Sequence, residues 1–375
     1  MYQTFTGSPV LILLQWCTMD TGLSYKPTAI DLFSGCGGMT LGLTQAGFNV
    51  VGSVEIDLLA VETYKANHKS VNVSHTDIRK VVPRQLKRKL KLRGGELDLL
   101  VACPPCQGFS EIRTLKGKRK VDDPNNDLLF AILPFVKEFK PKSIMIENVP
   151  ALARDARAKR FLHILQVLGY DVNEECMRVV DAAAYGVPQR RKRMILLAGR
   201  LGKINFATPT TERCTVRKAI EDLPPAGTSG DPLHDLITEH SPEVMERIRK
   251  IPKNGGSRSA LGKENQLKCH QKCNGFKDIY GRIAWDDVAP TITSGCTNPS
   301  KGRFLHPSDD RAITLREAAS LQSFPKDYFF SLKRGKNAAA LMIGNALPPE
   351  FIRNHALKIK EYLEQTRRLV RPLNF

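Results

Sequence analysis

The sequence predicts an α/β protein with a doubly wound, mostly parallel sheet and a smaller, irregular second domain. Between about residues 29 and 200, short apolar segments alternate with segments of helical length. Strands that alternate with helices form βαβ units, which build a parallel sheet covered by helices on both faces. The alternation stops at about Asn205, where proline, glycine and polar loops become frequent. This change predicts the second domain.

The boundaries of the elements follow from where the apolar runs break. Gly47 closes the first predicted helix, and Pro141 marks the end of a later one. We expect strands at 29–33, 50–54, 97–102, 143–146 and 194–198. We expect helices at 39–45, 58–67, 128–139, 161–168, 315–321 and 349–368. In parallel sheets ligands bind beyond the carboxyl ends of the strands, so these ends are the expected place for a site.

The charge of the chain indicates a polyanionic partner. It has 57 Lys and Arg against 38 Asp and Glu, a net charge of +19, with basic clusters at 87–93, 116–120 and 190–193. Such a balance is typical of proteins that bind nucleic acid. A basic surface that serves only solubility is the alternative. Nine cysteines, an odd number in a chain too large to need disulfides, favour reduced thiols and a cytoplasmic protein.

The amino-terminal segment does not fit the α/β pattern. Residues 10–14 are apolar, but this run is far too short to cross a bilayer. No basic stretch precedes it, as a signal peptide would require. We expect residues 1–26 to form a disordered extension, with Met19 as an alternative start to Met1.

A glycine-rich turn follows the first predicted strand, at residues 31–38. Glycines let a ligand approach the backbone closely. The third glycine of the dinucleotide fingerprint is absent, because position 40 is Thr40. Glu55 ends the next strand, where a carboxylate can accept hydrogen bonds from ribose hydroxyls, and Asp77 could bind an adenine amine. This set indicates a nucleoside cofactor without a pyrophosphate; ordinary turn glycines and surface acids are the alternative.

A thiol stands just beyond a predicted strand, at Cys106 after Pro104 and Pro105. Proline fixes φ and restricts how the chain enters the site. A nearby cation would raise the thiolate fraction of such a cysteine and favour a nucleophile. Cys103 and Cys106 also form a C-x-x-C pair, so a redox pair or half of a zinc site is the alternative. Cys269, His270 and Cys273 have the ligand chemistry for a second half but not a clean spacing.

Two further strand ends carry polar groups. Glu147 and Asn148 follow an apolar run, where a glutamate can act as a general acid. The basic run 189–193 precedes the next apolar strand, and guanidinium groups there could hold phosphates or base oxygens. A solvated glutamate and a solvated basic turn are the respective alternatives.

These motifs, in this order, resemble those of the cytosine-5 DNA methyltransferase family, over about 29–200 and 311–361. The matching segments are 31–38, 105–107, 147–149, Gln189 with Arg191 and Arg193, 311–317, and 344–346 followed by Pro348 and Pro349. The resemblance implies a fold of the S-adenosylmethionine-dependent methyltransferase type. It also implies transfer of a methyl group to carbon 5 of a cytosine that is flipped out of double-stranded DNA.

The resemblance assigns roles to single residues. Cys106 would attack carbon 6 of the cytosine, Glu147 would hydrogen-bond and protonate N3, and Arg191 and Arg193 would help to hold the base. No metal is required. The residues implied for S-adenosylmethionine are Phe33, Gly35, Gly37, Glu55, Ile56, Asp77, Pro104 and Asn345. Those expected to contact DNA are Gln107, Gly108, Ser110, Arg258 and Arg282.

The resemblance also gives the expected domains and partners. The catalytic and cofactor-binding domain would span 27–204, the target-recognition domain 205–310, and the chain would return to the catalytic domain at 311–375. We expect a cytoplasmic, nucleoid-associated monomer of a restriction–modification system, with a separate endonuclease as a partner. The alternatives are a tRNA cytosine-5 methyltransferase and an inactive DNA-binding regulator. The Cys-Phe-Thr signature of the tRNA enzymes has no match in the nearest run, 273–276.

Overall fold

The computed structural model describes residues 25–105, 124–262, 266 and 278–370. Within them a seven-stranded sheet has the strand order β3-β2-β1-β4-β5-β7-β6. The strands are β1 (Thr28–Leu32), β2 (Asn49–Glu55), β3 (Asn72–His75), β4 (Leu99–Ala102), β5 (Ser143–Asn148), β6 (Met177–Asp181) and β7 (Lys192–Gly199).

The sheet is mostly parallel, as predicted. Strands β1 to β5 pair in parallel, whereas β7 runs antiparallel to both β5 and β6. Every residue of β4 and β5 is buried, which explains why their unbroken apolar runs identify them. Strands β3 and β6 are partly exposed edges without such a run, and the sequence analysis does not predict them.

Helices cover both faces of the sheet and continue through the carboxyl-terminal third. The helices are α1 (Gly38–Gln45), α2 (Leu58–Asn67), α3 (Pro83–Lys89), α4 (Leu133–Phe139), α5 (Ala156–Val167), α6 (Val216–Ile220), α7 (Pro232–Asp235), α8 (Pro242–Lys250), α9 (Leu315–Leu321), α10 (Gly335–Asn345) and α11 (Pro349–Val370).

Capping residues account for several helix boundaries. Asp57 accepts a hydrogen bond from the amide of Ala60 and starts α2 where the sequence predicts it. Helix α9 begins with a reciprocal capping box between Thr314 and Glu317. Helix α5 begins five residues earlier than predicted, because Asp155 caps it. The predicted helix at 128–139 is a 3₁₀ helix, Pro124–Ile132, that leads into α4.

The buried side chains form three main groups. One apolar cluster packs α4 and α5 against one face of the sheet, and a second packs α1 and α11 against the other. The third joins residues 216–343 to Cys36, Leu59 and Ala60 beside the carboxyl ends of β1 and β2. This cluster continues across position 310 without a break, and the domain boundary there stays a prediction.

The amino-terminal prediction is wrong at Tyr25. Its hydroxyl donates to Asp98 at 2.6 Å, and the guanidinium of Arg367 lies 4.3 Å from the centre of its ring. Asp98 also accepts from the amide of Thr28 and from Lys142, both at 2.7 Å. The chain is therefore ordered before position 26; residues 1–24 lie outside the described part. Among the described residues, no helix is both long and apolar enough to cross a bilayer.

A polar network lies inside the sheet, beneath the glycine-rich turn. Asp31 of β1 is buried, and its Oδ2 accepts from the hydroxyl of Thr40 at 2.7 Å. The Thr40 and Tyr64 hydroxyls lie 2.7 Å apart, so Tyr64 can donate in turn to Thr40. No donor among the described residues reaches Oδ1 of Asp31. Burial, with a smaller contribution from the charge of Glu55, raises the pKa of Asp31 from 3.8 to about 7.

This network generates a prediction about stability and pH. Because the pKa of Asp31 is higher in the folded state, the folded chain binds more protons between about pH 4 and 7. The contribution of Asp31 to stability therefore falls as pH rises through that window. The side chain of Asp31→Asn is always neutral. As pH rises from 5 to 8, we expect the unfolding free energy of the variant to increase by on the order of 2 kcal/mol relative to that of the wild type, as measured by urea unfolding.

A matched variant separates the carboxyl from the network. Tyr64→Phe removes a hydroxyl and leaves Asp31 in place, so its unfolding free energy should follow the pH dependence of the wild type. If the unfolding free energies of Asp31→Asn and the wild type changed in parallel between pH 5 and 8, the buried carboxyl would not be the group that titrates.

Candidate active site

Two adjoining cavities lie where β1, β2 and β4 end. Their volumes are about 490 and 210 Å³. Phe33, Glu55, Ile56 and Pro105 line both. Others line only the larger cavity, among them Gly35, Cys36, Cys103, Leu341, Met342 and Asn345. The smaller cavity adds Thr76, Asp77, Ile78 and Leu128.

Glu55 is fixed by backbone amides at the edge of both cavities. Its Oε2 accepts from the amide of Gly35, and its Oε1 accepts from the amides of Ile56 and Asp57, all at 2.8 Å. A carboxylate held in this way keeps one orientation, and its remaining lone pairs can accept hydrogen bonds from a ligand.

The two predicted glycines have different surroundings. Gly35 has a φ of +52°, and no atom lies within 4 Å of where its Cβ would stand, so it faces the open cavity. Gly37 has a φ of +98° and does not line either cavity. A Cβ at Gly37 would lie 2.5 Å from Nε2 of His68 and 2.8 Å from the hydroxyl of Tyr328. Gly37 thus lets the turn pack closely against these two side chains rather than touch the ligand.

Asp77 lines the smaller cavity, but Arg79 already engages its carboxylate. The side chain of Arg79 donates to both oxygens, at 2.5–3.1 Å, and its amide donates to Oδ1 at 2.9 Å. These hydrogen bonds lower the pKa of Asp77 to about 2. The contact with an adenine amine stays a prediction.

The Pro-Pro segment holds the strand ends together. The carbonyl of Pro104 accepts from Nδ2 of Asn148 at 3.0 Å, and Pro104 lines neither cavity. Pro105, rather than Pro104, faces both cavities. Pro104 therefore positions the segment, which corrects its assignment to the ligand.

Glu147 lies buried at the end of β5, with 2% of its surface exposed. Its Oε2 accepts from the thiol of Cys103 at 2.8 Å. Nε of Arg193 lies 2.8 Å from Oε1, but the N–H is not aligned for a hydrogen bond; the contact is an ion pair. Among the described residues, Oε1 accepts no hydrogen bond. It is therefore available to a donor on a substrate.

Cys103 is a neutral thiol. Burial, followed by the charge of Glu147 and the hydrogen bond to it, raises the pKa of Cys103 well above its usual value. A thiol that stays protonated can donate a hydrogen bond but is a poor nucleophile.

Arg191 and Arg193 have different positions. Arg193 reaches Glu147, as described above. Arg191 is buried and donates to the carbonyls of Ile292 and Gly344 at 3.1 and 3.0 Å. Burial, with the nearby charge of Arg193, lowers the pKa of Arg191 to about 9. Arg191 therefore ties the start of β7 to the third cluster, and its predicted contact with a base is corrected to a positioning role.

Gln189 also connects the segment before β7 to the third cluster, although it is not among the predicted site residues. It donates to the carbonyl of Leu321 and to Oε1 of Gln322, and its own Oε1 accepts from the amide of Ile292. The signal for it is in the sequence, since Gln189 opens the Gln-x-Arg-x-Arg pattern.

The prediction that Arg282 reads DNA is wrong. Its side chain is fully buried. It donates to the carbonyls of Ile248, Ile251, His306 and Asp309 and pairs with Asp310. A base-reading side chain must reach the protein surface. Arg258 is also buried, with 6% of its surface exposed, so the structure does not present it to DNA either.

The predicted nucleophile and its neighbours lie outside the described residues. These are Cys106, Gln107, Gly108 and Ser110. Cys106 follows directly on Pro105, a wall residue of both cavities. The loose metal-ligand set Cys269, His270 and Cys273 is likewise outside. In the described part of the chain, no group of three or more His, Cys, Asp or Glu side chains could hold a metal ion.

Comparison with known proteins gives a consistent result. The sequence model of the C-5 cytosine-specific DNA methylases matches residues 28–361. The chain is 35% identical over 350 residues to the Type II methylase M.HgiDII of Herpetosiphon aurantiacus, covering 89% of this chain and 95% of that protein. It is 34% identical over 339 residues to the Type II methyltransferase M1.BsuMI of Bacillus subtilis, covering 85% and 77%.

A solved structure supports the fold. The Entamoeba histolytica methyltransferase EhMeth superposes with a TM-score of 0.62 at 18% identity, over 92% of this chain and 99% of that one.

The two cavities fit S-adenosylmethionine, the methyl donor of this family. Phe33, Ile78 and Leu128 offer apolar surface to a flat base, and Glu55 offers an oriented acceptor to a ribose. The larger cavity has room for the remainder and opens toward Cys103 and Pro105. The chain belongs to the C-5 cytosine-specific DNA methylase family and is an S-adenosylmethionine-dependent DNA cytosine-5 methyltransferase.

Proposed function

We propose that this enzyme acts through a covalent adduct between Cys106 and carbon 6 of a flipped-out cytosine, with Glu147 bound at N3. The observation that carries the proposal is the buried carboxylate of Glu147, whose Oε1 accepts no hydrogen bond from the described residues. An unmet polar atom of this kind is costly and is retained where a substrate supplies the partner: Oε1 can accept from the amino group at carbon 4 and, when protonated, can donate to N3. In the sequence, Cys106 is the residue after Pro105, which lines both cavities.

The chemistry requires both residues. Carbon 5 of an aromatic cytosine is too weak a nucleophile to take a methyl group unaided. Addition of the Cys106 thiolate forms an S–C6 bond and moves electron density to N3, which takes a proton from the protonated carboxyl of Glu147. Bound S-adenosylmethionine supplies the electrophilic methyl group that carbon 5 accepts. Loss of the carbon 5 proton to solvent, return of the N3 proton to Glu147 and cleavage of the S–C6 bond then restore the aromatic ring and the thiolate.

Arg193 supports this step from the other side of Glu147. Its guanidinium compensates the buried carboxylate and can also donate to an oxygen of the base. The cytosine must leave the helix to reach this site, which costs a few kcal/mol. The net charge of +19 supports phosphate contacts that offset this cost.

The DNA sequence is read, we propose, by exposed side chains of residues 205–310, and the chain returns to the catalytic domain after position 310.

The Type II names of the relatives support a restriction–modification setting in which a separate endonuclease shares the target. We propose that the enzyme is cytoplasmic, that it lies at the nucleoid because its substrate is DNA, and that it works as a monomer. The tRNA alternative is disfavoured, because the relatives reported above are Type II methylases and the run 273–276 does not match the Cys-Phe-Thr signature. The inactive regulator is disfavoured because Cys106, Glu147 and the glycine-rich turn at 31–38 are all present.

The first test concerns the nucleophile. Cys106→Ala should abolish methyl transfer to DNA amplified by PCR, which carries no methylation, while DNA binding persists. It should also lose covalent trapping on DNA that contains 5-fluorocytosine, because fluorine does not leave carbon 5 as the proton does. Cys176→Ala, which removes a buried thiol that lines neither cavity, should retain both reactions. Turnover by Cys106→Ala at the wild-type rate would falsify the covalent mechanism.

The second test concerns sequence specificity. Residues 205–310 would be replaced by the equivalent segment of a family member whose target is known. Because base edges are read by side chains on this segment, the chimera should methylate the donor's target, as mapped by bisulfite sequencing. Cys106 and Glu147 are unchanged, so the chemistry should persist. An active chimera that kept the original target would assign base reading to the rest of the chain.

A further inference from the structure

We propose that Cys103 is a positioning residue for the reaction, whose thiol holds the carboxylate of Glu147 in place by a hydrogen bond to Oε2. This rests on the proposed role of Glu147 at N3 of the cytosine. The nucleophile motif found in the sequence, 105–107, begins at Pro105 and does not include Cys103.

The backbone brings the two residues together. Ala102 of β4 and Ile146 of β5 are paired in the parallel sheet, so the residues after them stand side by side. The amide of Cys103 donates to the carbonyl of Leu32, which ties it to β1 as well. One residue further on, Asn148 donates to the carbonyl of Pro104. Cys103 is therefore held by backbone contacts on both sides, and its Sγ reaches Oε2 at 2.8 Å.

The two oxygens of Glu147 have different tasks in this arrangement. Oε2 is occupied by the thiol donor, and Oε1 is left with the unaligned guanidinium of Arg193. A carboxylate with only an ion-pair partner could rotate about its last torsion, because that torsion has no sharp preference. The hydrogen bond to Cys103 selects the orientation that turns Oε1 toward the substrate.

A cysteine suits this position because of its protonation state. Burial and the adjacent Glu147 keep the thiol neutral, so it acts as a donor beside a carboxylate and does not repel it. A neutral thiol also does not compete with Cys106 for carbon 6. Cys103 also lines the larger cavity, whereas Glu147 does not.

The test compares Cys103→Ala with Cys103→Ser. Alanine removes the donor, whereas serine replaces the thiol by another neutral donor of similar length. With PCR-amplified DNA, we expect Cys103→Ala to lower kcat by about tenfold or more, the scale of a lost hydrogen bond to a charged group. Its KM for S-adenosylmethionine should stay within about twofold, since a cavity wall of this size does not depend on one Sγ. Cys103→Ser should recover most of kcat.

A control tests whether loss of any buried thiol slows the enzyme. Cys176 is buried and donates to Oδ1 of Asn173 at 3.5 Å, away from both cavities. Cys176→Ala should keep the wild-type kcat and KM. Thermal unfolding of each variant would show that the chains are folded.

The outcomes separate this proposal from the proposed function. A wild-type kcat for Cys103→Ala would overturn it, as would a serine variant as slow as the alanine variant. A rise in KM for S-adenosylmethionine at unchanged kcat would also overturn it, because the thiol would then serve the cavity alone. If instead the wild type failed to be trapped on 5-fluorocytosine DNA, the covalent mechanism itself would be wrong, whatever Cys103 did.

Discussion

The site depends on a carboxylate buried at the end of a central strand, because its charge must be compensated by the neighbouring strands. Taking Glu147 out of water costs several kcal/mol unless a cation and hydrogen-bond donors compensate it. The antiparallel direction of β7 supplies the cation. A strand that runs against β5 begins where β5 ends, and the pairing of Asn148 with Met194 brings Arg193 next to Glu147. A parallel strand at this place would have put its first residues at the opposite edge of the sheet.

Much of the catalytic half could be predicted because its physical signals are local. The buried strand β5 is marked by an apolar run. Helix α1 begins after Gly37, and α2 begins after the capping residue Asp57. The edge strand β6 is not predicted because none of its five residues is fully buried and two of them, Arg178 and Asp181, carry charge. The topology alone predicts that the polar residues at strand ends lie near one another. It does not predict which of them touch a ligand, because Gly37 and Pro104 support the site through packing and backbone contacts.

Arginine was the hardest residue type to interpret from sequence. Arg191 and Arg282 have the charge and length of nucleic-acid contacts, yet both are buried and bind carbonyl groups. The reason lies in the irregular backbone between 205 and 310. Loops without a hydrogen-bonding ladder leave carbonyls that must be satisfied by other donors. Arg282 and Arg303 satisfy several of them at once, so part of the net positive charge serves the interior of the protein.

Helix α10 packs in the third apolar cluster together with residues 216–313, yet Leu341, Met342 and Asn345 on the same helix form a wall of the larger cavity. A movement of that cluster against the sheet therefore changes the shape of the cavity. If DNA bound to the surface of 205–310 shifts the cluster, the affinity for the methyl donor must change. Thermodynamic linkage then requires the methyl donor to change the affinity for DNA by the same factor. Such a shift would couple DNA binding to methyl-donor binding through one shared apolar core.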